Sequence, residues 1–125
     1  MTKKITAAAL VCLLSLSVAG AAERLGVAVY PGATYDPVTT ELLVMDPSIE
    51  GAAYRTSDDI GKVAAFYQKQ GLVLLKVGSP SKEYARFGKA KSRVNVVVQQ
   101  PWKDRKSKAM MQDTLILIME ETEKF

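Results

Sequence analysis

The chain has 125 residues, a formal charge of +4, one cysteine and no histidine. That length suits one domain with an ordinary hydrophobic core. The missing histidine removes the commonest general base and metal ligand, and with it any Ser-His-Asp arrangement. The small net charge argues against a nucleic-acid binder.

The first 22 residues have the three-part layout of a secretory signal peptide. Lys3 and Lys4 supply the positive start, and Ile5 to Val18 form an uncharged, mostly apolar run. Ala19-Gly20-Ala21-Ala22 supplies the small side chains that a signal peptidase accepts. Cleavage is expected after Ala21 or Ala22, leaving residues 23–125 as a single domain in the periplasm or outside the cell. The apolar run is shorter than the roughly 20 residues of a spanning helix, so no integral membrane protein is expected after processing. Cys12 lies inside the run behind Val11, not at its end, so it reads as an apolar filler and not as a lipid attachment site. The mature domain then has no cysteine and no disulfide, and loses thiol catalysis and thiolate metal sites as well.

Removing Lys3 and Lys4 lowers the net charge from +4 to +2. What remains is uneven. Glu23 to Asp59 holds seven acids and two bases, Lys76 to Lys108 ten bases and two acids, and Ala109 to Phe125 four acids and one base. A basic segment of this kind is either a solvated face or a contact for an anionic partner.

Along the mature chain, Leu25 to Tyr30 is a short apolar run, read as a strand, that stops at the turn dipeptide Pro31-Gly32. Asp36-Pro37 then opens a short helix, about Pro37 to Met45, with Asp36 as cap and Pro37 at the first helical position. The poor helix formers Val38, Thr39 and Thr40 keep a strand at Glu41 to Met45 as the alternative. Ala52 to Thr56 reads as a strand that leads into the main helix, Asp58 to Gln70. Ile60, Val63, Ala64 and Tyr67 fall on one stripe of that helix, with Phe66 beside them as a further core anchor. Thr56 and Asp59 have the spacing of a capping box, Ser57 is an alternative cap, and Asp58-Asp59 sits where the helix dipole favours negative charge. Gly71 supplies the stop.

Four strands follow: Leu72 to Val77, Tyr84 to Lys89, a strand carrying Val94, Val96 and Val98 on one face, and Thr114 to Met119. Gly78 to Ser81 and Ala90 to Ser92 connect them. The Val94, Val96 and Val98 face is expected to lie on the helix. Thr114 to Met119 is apolar on both faces, as a central strand would be. Pro101 to Gln112 reads as a long polar loop. The order predicts an α+β fold: an antiparallel sheet of about four to five strands packed on one main helix, plus the short helix, with the helices on one face.

Tyr30-Pro31-Gly32-Ala33, Tyr54-Arg55-Thr56-Ser57-Asp58-Asp59 and Lys62-Val63 with Phe66-Tyr67 carry a resemblance. Over Tyr30 to Gly71 the chain resembles a loose group of small exported bacterial proteins of unassigned function that share the pattern "YPGA … YxTxDxxxKVxxFY". Asn95 to Trp102 looks similar too, less specifically. The resemblance implies an α+β fold and export, and carries over no catalytic residue.

No phosphate-binding glycine loop or dinucleotide motif is present. Asp36, Asp46 and Glu50 lack the dense alternating spacing of a calcium loop. No metal, cofactor or catalytic set is therefore expected. The one candidate contact is Trp102 with Lys103, Arg105, Lys106 and Lys108, where clustered cations attract an anion and an indole adds a stacking face. The expectation is an exported accessory or binding protein that is not an enzyme and meets an envelope protein or an anionic surface through this loop. The alternatives are a small enzyme working with carboxylates and lysines, or a structural subunit of an envelope assembly.

Overall fold

A computed structural model describes residues 22–77 and 83–122. Cys12, the expected signal segment through Ala21 and the expected Gly78 to Ser81 connection lie outside them. The elements run β1 (Glu23–Arg24), β2 (Val27–Ala28), β3 (Thr34–Tyr35), α1 (Pro37–Leu43), β4 (Ile49–Thr56), α2 (Ile60–Lys69) and β5 (Val73–Val77). They continue with β6 (Glu83–Gly88), β7 (Val94–Gln100), β8 (Trp102–Lys103), β9 (Met110–Met111) and β10 (Thr114–Glu121).

The class is α+β, built on a large antiparallel sheet in the order β3-β4-β10-β7-β6-β5. The sheet has six strands where four to five were expected. The addition is β3, which pairs only Thr34 with Arg55 and Tyr35 with Tyr54 and is too short to show an alternation. Leu25 to Tyr30 is not a strand of this sheet. Leu25 and Gly26 both take positive φ and turn the chain into the separate hairpin β1–β2.

β10 lies between β4 and β7, in agreement with its two apolar faces. Ile116 and Ile118 meet one side of the sheet's packing, where Val94, Val96, Val98, Ala85 and Phe87 join them under α2. Val63 and Tyr67 of α2 complete that core and are fully buried. The Tyr67 hydroxyl donates to the Ala28 carbonyl at 2.8 Å, so the buried phenol is satisfied and ties the β1–β2 hairpin to the helix. Phe66 is only half-buried and packs edge-on against Tyr30 and Tyr67. It is a shoulder of the core, and Tyr67 and Phe87 are its anchors.

The termini of α2 differ in how far the sequence describes them. At the C-terminus, Gly71 has φ +90°. Its N–H reaches the Gln68 carbonyl and the Leu72 N–H reaches the Tyr67 carbonyl, the paired bonds of a glycine stop. At the N-terminus the expected cap does not form. Asp59 is the cap residue, but its side chain makes no capping bond. The Ile60 N–H instead donates to Gln100 Oε1 at 2.9 Å, a partner from β7. Asp58 accepts the Tyr30 hydroxyl at 2.6 Å, and Thr56 Oγ1 accepts the Asp58 N–H.

The helices do not share one face. α2 covers the Ile116 and Ile118 side. α1 lies along the β4 edge, where Thr40 Oγ1 accepts the Ala53 N–H at 2.8 Å, and it carries Leu42 and Leu43 toward Leu115 and Leu117 on the other face. Its start is as expected: Asp36 Oδ1 accepts the Thr39 N–H and Pro37 opens the helix. It ends at Leu43, short of Met45. At the far edge of the sheet, Val73, Leu74, Leu75 and Val77 of β5 remain exposed.

Candidate functional site

The second face of the sheet is built from residues far apart in the chain. Ala53 of β4, Leu115 of β10 and Trp102 of β8 form a small buried cluster, with Met111 and Leu117 packed on it. The expected Pro101 to Gln112 loop is in fact an arm. β8 and β9 pair Trp102 with Met111 and Lys103 with Met110, and fold back over the sheet.

Trp102 fastens this arm. It is 4% exposed, and its indole Nε1–H donates to Asp113 Oδ1 at 2.9 Å. The other carboxylate oxygen of Asp113 accepts Arg55 Nε at 2.8 Å. The Arg55 guanidinium lies 5.1 Å from the indole centroid and 3.9 Å from Asp36. The hydrogen bond to Asp113 is the main cause that raises the Arg55 pKa above its ordinary value. Trp102 is therefore a buried anchor and not an exposed stacking face.

Asp104, the one acid among the arm's cations, serves the turn. Its Oδ1 accepts the Lys106 and Ser107 N–H groups, at 2.9 and 3.4 Å. Those bonds, the Lys106 amide first, hold its pKa below the usual carboxylate value. Lys103, Arg105, Lys106 and Lys108 are exposed. None of these four makes an ion pair among the described residues, where the pairs that form join Arg55 to Asp36 and Asp113.

Between α1 and the arm lies a groove of about 340 Å³. Its floor is Leu115 and Leu117, its α1 wall Leu42 and Leu43, and its arm wall Trp102. Lys103 and Arg105 line it from the arm, and Gln99 and Asp46 add polar groups. The structure thus brings three of the five expected contact residues to one cavity and leaves Lys106 and Lys108 outside its lining.

Leu42, Leu43, Leu115 and Leu117 were not singled out in the sequence. A signal existed: a strand apolar on both faces needs a cover on each, and the main helix supplies only one. A second, shallower hollow holds Arg55 between Asp36 and Asp113. There the cation is already neutralised.

The groups with displaced pKa are structural. The hydrogen bond to Asp58, and then burial, push the Tyr30 phenol up to about 12. Burial raises that of Tyr67. Neither of these, nor Arg55 or Asp104, lines the groove. Among the described residues no three His, Cys, Asp or Glu gather as a metal-binding set, and no helix is long and apolar enough to cross a membrane. Comparison with family models, with curated proteins and with solved structures gives no match for this chain.

Proposed function

We propose that this is an exported binding module that takes an anionic partner at the mouth of the groove. In this reading the first 22 residues leave as a signal peptide and the remaining domain works in the periplasm or outside the cell. Lys103 and Arg105 make the contact, Lys106 and Lys108 add to the local positive field, and Trp102 holds the arm that carries them.

The observation that supports it best is the pairing of a partly apolar cavity with two cations that have no counter-ion among the described residues. Elsewhere the fold gives the half-buried Arg55 two carboxylates. On the arm it gives Asp104 to backbone amides. Exposed cations left in this state favour an anion from outside.

Sedimentation with anionic vesicles and with a soluble polyanion, at low and high salt, tests this. Wild type binds at low salt and releases as salt rises, because charges beyond about 8–10 Å are screened near physiological ionic strength. Lys103→Glu with Arg105→Glu abolishes binding and leaves the melting temperature unchanged. Wild type that ignores every anion at low salt defeats the reading.

A further inference from the structure

We infer that the ligand of this groove is a free single-chain amphiphile: an alkyl chain of about eight to ten carbons, judged from groove volume, with one anionic head such as a carboxylate, phosphate or sulfate. This rests on the reading of Lys103 and Arg105 as the anion contact and extends it to the rest of the ligand.

Three features carry it. The first is the segregation of the lining. Leu42, Leu43, Ile49, Leu115, Leu117 and the Trp102 ring supply the apolar part of the trough. Thr39, Asp46 and Gln99 add neutral or acidic polar groups, and both cations come from the arm. A ligand that satisfies both regions has an apolar body and a charged end. The single acid on the wall, Asp46, already accepts the Ser48 N–H and hydroxyl at 2.9 and 2.7 Å, so its carboxylate serves its own turn.

The second feature is size. The volume of about 340 Å³ lies at the low end of the range for small-molecule sites, roughly 300–1,000 Å³. Liquid water occupies about 30 Å³ per molecule, and a methylene is of similar bulk. The trough therefore takes one short chain and excludes a two-chain lipid.

The third is shape. α1, the sheet and the arm bound the cavity on three sides, which suits a slender ligand better than a flat protein surface. The walls are fixed: Thr40 holds α1 to β4, and Asp113 holds Trp102.

Trp102 is the chain's sole tryptophan and forms a wall, so its emission reports occupancy. The test titrates the purified protein with alkyl carboxylates of increasing length below micelle formation, beside acetate, inorganic phosphate and 1-octanol. Affinity rises about fourfold per added methylene until the trough is full, then levels. Lys103→Glu with Arg105→Glu weakens the carboxylates and spares octanol. Leu42→Gln, on the groove wall of α1, weakens every alkyl ligand.

Salt-sensitive binding to vesicles or phosphate with no dependence on alkyl length overturns this inference and leaves the proposed function standing. Octanol binding as tightly as octanoate removes the anionic head. Dimerisation that Leu42→Gln abolishes, without alkyl dependence, makes a second copy the occupant and overturns it too. Absence of any anion binding defeats both readings.

Discussion

The indole N–H of Trp102 donates to Asp113 across ten intervening residues, and the same carboxylate holds Arg55 of β4. One side chain thereby joins the arm, the sheet and the start of β10. Replacing it with alanine leaves a buried indole N–H without its acceptor and a guanidinium without its main partner. Asp113→Ala is expected to cost about 2–3 kcal/mol and to shift Trp102 emission to the red. Asp113→Asn retains one acceptor and costs less. Urea melts followed by fluorescence check both.

The core makes a graded prediction. Phe87 is fully buried, Phe66 half-buried and Lys62 exposed. Phe87→Ala is expected to cost ~3–5 kcal/mol, Phe66→Ala about half of that, and Lys62→Ala within about 0.5 kcal/mol of wild type. Equal midpoints for the two phenylalanine variants would contradict the placement of α2 on the sheet.

Gly51 sits opposite Met119 in the β4–β10 pair. A Cβ there would fall against the Ile118 carbonyl and the Met119 backbone, which have no freedom to move away. Gly51→Ala is expected to cost at least ~1–3 kcal/mol, the usual scale of overpacking. Gly61→Ala, on α2 with open space around it, is expected to be neutral or stabilising by up to about 1 kcal/mol. Thermal melts of the pair separate steric cost from backbone entropy.

Tyr30 predicts alkaline behaviour. Its folded pKa of about 12 lies above the ordinary value of 10.0. A raised pKa favours the folded state fully below the ordinary value, and that contribution is lost as pH rises from about 10 to 12. Tyr30→Phe is therefore expected to lower stability at neutral pH by roughly 1.5 kcal/mol, the low end for a bond to a charged group. The gap to wild type closes through this alkaline window. Absorbance titration of tyrosinate shows one late-ionising group fewer in the variant.

The four cations of the arm are expected to divide. Lys103→Glu with Arg105→Glu removes anion binding, whereas Lys106→Glu with Lys108→Glu, outside the groove lining, weakens it by less than about tenfold, the effect of some 1.4 kcal/mol. Equal losses from both pairs would place the contact on the outer turn instead.

The parts of this fold that were legible in the sequence are those with a period. Val63 and Tyr67 mark the buried stripe of α2, Gly71 marks its stop, and Asp36-Pro37 marks the start of α1. Val94, Val96 and Val98 show the core face of β7. The pairs β1–β2 and β8–β9, with two residues in each strand, are too short for an alternation. They depend on partners that local pattern does not name: Tyr67 for one, Asp113 for the other. The N-terminal cap of α2 was misread for the same reason, since Gln100 arrives from β7. The arm's cations were visible as a cluster, but the groove was not. Its walls come from Leu42 and Trp102, which only the sheet brings together.

The strand order also constrains when the protein can fold. β10 is the last strand of the sheet to be synthesised, and it separates β4 from β7. Until Thr114 to Glu121 has emerged, the earlier strands of the sheet form two groups with no strand pairing between them, β3–β4 and β7-β6-β5. Both of the cores described above need residues of β10, Ile116 and Ile118 for one and Leu115 for the other. The sheet therefore stays open until β10 is available, because β10 closes it through pairs with β4 that lie far apart in sequence, such as Glu121 with Ile49, and carry the entropy cost of distant pairing. The apolar Val73 to Val77 segment, exposed in the folded protein too, is then a hazard for association with other unfinished chains. A chain cut before Thr114 lacks the strand that links β4 to β7, and the packing of α2 on β6 and β7 is left to hold the two parts together.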